Sequence, residues 1–127
     1  MSFDWGSFSD VGFHLLKLSD EENYQRSAVG RLYYSIYGLS KNYYEKTHKK
    51  YIPSVNGHQI LADALSDSIY SEEQFLGKCL FNLKKFRVKA DYRNNFKSKY
   101  VEDSKKIHND AKEILDYLNN NPVVPKF

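Results

Sequence analysis

The stretch Arg26–Tyr44, RSAVGRLYYSIYGLSKNYY, decides the fold. Val29, Leu32, Ile36, Leu39 and Tyr43 recur at three- and four-residue steps, the spacing of one helical face. Arg26, Arg31, Tyr34, Ser35, Tyr37 and Lys41 surround that face with hydroxyl and cationic groups, which find partners at a helix seam or on a ligand. Tyrosine is a middling helix former and a good strand former. The segment nevertheless lacks period-two alternation and is far too long for one strand, so it reads as a helix.

Upstream, Phe8, Val11, Leu15 and Leu18 line one face of a short helix over Ser7 to Leu18. Ser19 stands three residues before Glu22, a capping-box spacing that starts the long helix, expected from about Asp20 to about Thr47. Pro53, Asn56 and Gly57 mark the following loop. Ile60, Leu61, Ala64 and Leu65 predict a short third helix over His58 to Ser68. Ser71 and Gln74 form a second capping-box pattern, after which Phe75, Leu76, Cys79, Leu80, Leu83, Phe86 and Ala90 keep helical spacing to about Asp91. Arg93 to Phe96 is a polar break. Val101, Ile107, Ala111, Ile114, Leu115 and Leu118 describe a last amphipathic helix. Asn119 to Asn121 and Pro122 end it, leaving residues 122–127 as a frayed tail. The expected architecture is all-α, a single up-down bundle of four to five helices over residues 1–121.

Composition sets the class. The chain of 127 residues suits one domain with one core. A hydrophobic fraction of 41% beside a charged fraction of 28% belongs to a folded chain rather than a disordered one. The net charge of +3 permits an anionic partner without arguing for one. Cys79 is the single cysteine, so the chain has no internal disulfide and no cysteine metal cluster, and it fits a reducing cytoplasm. No apolar run approaches a membrane span, and no basic-then-apolar leader opens the chain, so a cytoplasmic protein without membrane contact is expected.

Few residues point to chemistry by themselves. Gly57 and Gly77 are isolated and no phosphate-cradling loop is present, so no cofactor is expected. Gly30 and Gly38 lie inside the long helix at roughly 1 kcal/mol each relative to Ala, which points to close helix or subunit approach. His14, His48, His58 and His108 share no metal-ligand spacing, and no metal site is expected. His58 opens a helix, where a lone histidine is more often a cap or surface residue than a catalyst. The dense polar stretch is KKFRVKADYRNNF, Lys84 to Phe96. Arg87 and Asp91 share one helix face, as do Lys89 and Arg93; the plain reading is a solvated helix end with an intrahelical ion pair.

Taken together, RSAVGRLYYSIYGLSKNYY, His58 and FRVKADY resemble the HEPN family (higher eukaryotes and prokaryotes nucleotide-binding), small stand-alone prokaryotic type. The elements that carry the likeness are Ser27, Ala28, Val29 and Arg31 with Tyr33 or Tyr34, then His58, then Arg87, Ala90, Asp91 and Tyr92. They follow in order over nearly the whole chain; each motif alone is weak. The resemblance implies a homodimeric bundle that binds RNA or nucleotide through Arg31, Arg87, Lys89, Asp91, Tyr92 and Arg93. It also implies a toxin–antitoxin or antiviral defence setting, with a small nucleotidyltransferase antitoxin as a possible partner. Ribonuclease members carry an arginine and, four to six residues later, a histidine at the dimer interface. The histidine moves a proton and the arginine stabilises charge on phosphate.

Here the window after Arg87 holds Lys89, Asp91, Tyr92 and Arg93, and no histidine. Candidate catalytic groups are therefore limited to Arg87, Tyr92 and His58, and an ordinary tyrosine is a poor base at neutral pH. Three readings compete: an RNA- or nucleotide-binding protein, a metal-independent ribonuclease toxin with a composite dimer site, and a non-catalytic interaction module.

Overall fold

A computed structural model describes residues 4–123, which form five helices. These are α1 (Ser7–Leu18), α2 (Glu22–His48), α3 (Gly57–Ser66), α4 (Ser71–Tyr92) and α5 (Ser98–Asn120). No strand occurs among the described residues, and the all-α bundle is the architecture. None of the described helices is long and apolar enough to cross a membrane. Of the expected tail, Val123 packs half-buried against the core, and residues 124–127 lie outside the described residues.

Helix α2 is the axis. Ser35 meets Ser9 and Leu32 faces Gly12, so α1 runs antiparallel to it. Tyr43 meets Glu73 and Arg26 meets Ala90, so α4 is also antiparallel. Val29 clusters with Val101 while Thr47 lies beside Leu118, which makes α5 parallel to α2. Helix α3 packs chiefly on α4, where a Cβ at Gly77 would stand 2.8 Å from the Ser66 backbone nitrogen.

The expected core face of α2 is largely the one observed. Val29, Leu32, Ile36 and Tyr43 are buried and Leu39 is half-buried. Tyr37 and Ser35, read from the sequence as flanking that face, are buried with it. Elsewhere the apolar spacing misplaced some side chains. Val11 and Leu18 of α1 are exposed, because α1 approaches α2 through Gly12, whose missing side chain lets the two backbones close. Ile60 and Phe75 are exposed as well, since α3 and α4 turn Leu61, Leu65 and Leu76 inward instead.

Neither capping box forms. The N-cap of α2 is Glu21, whose N–H donates to Ser19 Oγ at 3.0 Å in a local turn. The N-cap of α4 is Tyr70; Gln74 reaches the Ser68 carbonyl at 2.6 Å, and Ser71 donates to Glu72. Of the two helical glycines, Gly38 makes room for the ring of Trp5, in the turn before α1, which a Cβ there would overlap, rather than for the backbone of another helix. At Gly30 no other part of the chain comes within 4 Å of the missing side chain, so no helix of the same chain approaches closely there.

Leu32 has no exposed surface, so Leu32→Ala is expected to lower the unfolding free energy in urea by about 2–5 kcal/mol. A loss below about 0.5 kcal/mol, typical of surface sites, would contradict the packing.

Candidate functional site

The C-terminal half of α4 advances 100° per residue, which sorts its polar groups onto separate faces. Arg87 and Asp91 turn toward α2. With Arg26, Ser27, Gly30, Arg31 and Tyr34 they line a cleft of about 190 Å³. The Arg87 guanidinium carbon lies 5.1 Å from the centre of the Tyr34 ring. Its Nε stands 3.1 Å from Asp91 Oδ2, a charge contact without hydrogen-bond geometry. Arg31 is exposed and sits over the Phe8 ring at 5.2 Å.

Arg26 has another task. It donates to the Ala90 carbonyl at 2.7 Å and the Asn94 carbonyl at 3.3 Å, and contacts Glu22 at 3.2 Å. It thereby satisfies carbonyls at and beyond the end of α4 and fixes that end on α2. Sequence reading placed Arg26 beside the core face but missed this role, because its partners lie 64 and 68 residues away.

Lys89 and Arg93 do not join Arg87. They line a groove of about 280 Å³ on the α3 side with Gln59, Phe81, Lys84, Lys85 and Val88. They also border a hollow with Asn94, Asn95 and Tyr100, where the Lys89 ammonium lies 4.6 Å from the Tyr100 ring centre. Tyr92 is 73% exposed at the helix end and lines neither the cleft nor the groove. The six binding candidates therefore divide: Arg31, Arg87 and Asp91 share the cleft, Lys89 and Arg93 the groove, and Tyr92 stands outside both.

His58 is neither a cap nor a plain surface residue. Its ring stacks on Tyr37 with centroids 3.8 Å apart, and its Nδ1 is hydrogen-bonded to the Tyr33 hydroxyl. Which of the two donates depends on the imidazole tautomer. Burial pushes its pKa down to about 4, and the positive charges of Lys84, Arg87 and Lys41 add to the effect. The imidazole is neutral at pH 7 and lies within the field of Arg87. Burial likewise drives the Tyr33 hydroxyl well above the ordinary tyrosine range, so it keeps its proton.

The remaining polar clusters belong to the packing. Glu73, invisible to sequence reading as a buried group, accepts bonds from Tyr43 (2.6 Å), His48 (2.7 Å) and Ser68 (2.6 Å). His108 is buried away from the cleft, 2.7 Å from Ser9 Oγ. Burial raises the Cys79 thiol to about 11, which keeps it protonated and unreactive. Among the described residues no group of three or more His, Cys, Asp or Glu side chains gathers as a metal site requires.

No protein-family model matches the chain, and no curated protein or solved structure is significantly similar to it.

The depressed pKa of His58 has a definite thermodynamic sign. Above pH 6.5 both folded and unfolded forms are neutral there; between 6.5 and about 4 only the unfolded chain takes up the proton. Stability should fall through that window on acidification. His58→Gln is expected to flatten the melting-temperature profile between pH 6.5 and 4, even where it lowers stability overall. An unchanged slope would mean that His58 titrates alike in both states.

Proposed function

We propose that this chain is a HEPN-type RNA- or nucleotide-binding protein of a prokaryotic toxin–antitoxin or defence module, without efficient ribonuclease activity. The supporting observation is the convergence of Arg31 and Arg87 on one cleft, with Tyr34 beneath the Arg87 guanidinium. Asp91 engages the Nε side of Arg87, and no hydrogen bond within the described residues occupies its Nη groups. A guanidinium held this way offers two parallel donors to a phosphate. The Asp91 carboxylate beside it can accept a hydrogen bond from a ribose hydroxyl, which favours RNA over DNA. The setting, the RNA ligand and an antitoxin partner come from the resemblance in residues 26–44, His58 and residues 86–92.

His58 supports a second reading, the ribonuclease, only weakly. A neutral imidazole near Arg87 is free to accept a proton, but a group with pKa about 4 is a feeble base at neutral pH. Tyr92 offers no help from within the cleft. Cleavage is therefore expected to be slow or undetectable.

Fluorescence anisotropy with labelled RNA tests the reading. Arg87→Ala should weaken binding roughly 10- to 100-fold, the worth of a charge-assisted phosphate contact, and binding should weaken with salt. Lys112→Ala, a remote cation paired with Asp116 at 2.6 Å, should change it little. Equal effects of the two substitutions would reduce the cleft to general surface charge. Robust metal-free cleavage abolished by Arg87→Ala or Tyr92→Phe would promote the ribonuclease instead.

We further infer a homodimer, in keeping with the resemblance and with Gly30 opening the cleft rim to a second copy. Sedimentation at micromolar concentration should give twice the chain mass. A monomer throughout would leave each cleft with only its own few cations.

A further inference from the structure

We propose that the groove between α3 and α4 is a second binding surface, which holds an unpaired nucleobase on Phe81 and its flanking phosphates on Lys84, Lys85 and Arg93. The inference rests on the RNA-binding reading and adds to it where and in what form the strand is held. Phe81, Lys84, Lys85 and Val88 recur at steps of three, four and seven, one stripe of α4 facing Gln59 of α3. The groove of about 280 Å³ thus has an apolar floor and a cationic rim, with a single amide at its edge and no carboxylate in its lining. None of its four cations takes part in an ion pair among the described residues, whereas the lysines of α5 at positions 105, 106 and 112 each have an acidic partner.

Phe81 decides the ligand class. It is 62% exposed and stands in the same groove lining as those charges, so its ring face is open to a ligand. A flat ring beside unneutralised lysines suits a base stacked on the ring with phosphates on either side. In a duplex the bases are stacked inward and cannot lie on the ring, so the ligand is single-stranded. Gln59 donates through Nε2 to Asp63 Oδ1 at 2.8 Å, which leaves its Oε1 as an acceptor for a base edge. The groove shares no lining residue with the cleft and lies on the neighbouring face of α4. On the helical wheel its stripe lies about 90° from Arg87 and Asp91. Lys84 falls between the two faces and bears on His58 together with Arg87. A strand held by both surfaces would pass Lys84 between them.

The experiment measures binding of the full chain to a short single-stranded RNA, the matching duplex and inorganic polyphosphate. Phe81→Ala should weaken the single strand by about five- to a hundredfold, the range of one lost base stack, and leave polyphosphate unaffected. Phe81→Trp should retain single-strand affinity, and the wild type should bind the single strand more tightly than the duplex. Because Phe81 is exposed, circular dichroism should show both variants folded. Lys84→Ala with Lys85→Ala should reduce the salt slope by about 1.4, about 0.7 per phosphate contact. If Phe81→Ala leaves RNA binding intact while Arg87→Ala abolishes it, the groove proposal fails and the cleft reading stands. If the wild type binds no RNA at all, both fall. Polyglutamate bound as tightly as RNA, and equally sensitive to Phe81→Ala, would assign the groove to an acidic peptide and overturn the proposal.

Discussion

A helix buried on most of its surface must find partners for the hydroxyls it carries, and α2 buries several. The Tyr33 hydroxyl meets His58 of α3, the Tyr43 hydroxyl meets Glu73 of α4, and Ser35 meets Ser9 of α1, which also contacts His108 of α5. One polar tie thus runs from the central helix toward each of its neighbours. Hydrophobic burial brings the helices together, but it is non-directional. The hydroxyl bonds add direction, because leaving one unmade costs about 1–3 kcal/mol. Ser40 is the exception on α2, buried with no partner among the described residues. Glu73 shows the same demand at its strongest. Burial alone would raise its pKa, yet hydrogen bonds from His48, Ser68 and Tyr43 outweigh it and hold the carboxyl below its ordinary range. Its stabilising contribution is accordingly present above the unfolded carboxyl pKa and lost on strong acidification.

The same ties position the candidate site. Arg26 fastens the C-terminal end of α4 to α2, so that Arg87 and Asp91 are presented beside Tyr34 rather than to open solvent. At the other flank, Gly77 lets α3 approach α4 closely enough to wall the basic groove with Gln59. All the cations that line the cleft and groove except Arg93 stand on α2 and α4, and such a concentration of positive charge is what a phosphate-bearing ligand requires.

Periodicity revealed the helices because each has a buried stripe, and in α2 all the repeating apolar residues but the half-buried Leu39 are buried. It located α1 at its observed bounds but misassigned part of its packed face, because the approach there is governed by the smallness of Gly12, a signal that hydropathy does not carry. The capping boxes failed because Ser19 serves a local turn, Ser71 donates to its neighbour Glu72, and Gln74 reaches back to the Ser68 carbonyl. The site was legible in part. Arg87 with Asp91 and Lys89 with Arg93 are visible as two same-face pairs, and helical geometry already sets Lys89 about 160° from Arg87. Treating both pairs as one site disregarded that angle. The setting of His58 was not legible at all, because its two tyrosine partners lie on α2, across a loop of eight residues whose path no local pattern dictates.

Cation density and basicity oppose each other here. Lys84, Arg87 and Lys41 create the positive field that attracts an anion, and the same field disfavours a protonated His58. The more positive charge such groups gather around a phosphate position, the weaker the proton acceptor beside it becomes. A phosphate seated among them would cancel part of the field and let His58 return toward its ordinary range. The part due to burial would remain, since the ring is stacked on Tyr37 and bonded to Tyr33 whether or not the cleft is filled. Desolvation is the larger of the two causes, so binding restores only a fraction of the lost basicity. This weak basicity, and the lack of a histidine spaced to the cleft from α4 itself, is why we propose that the site holds an anionic ligand rather than cleaves it.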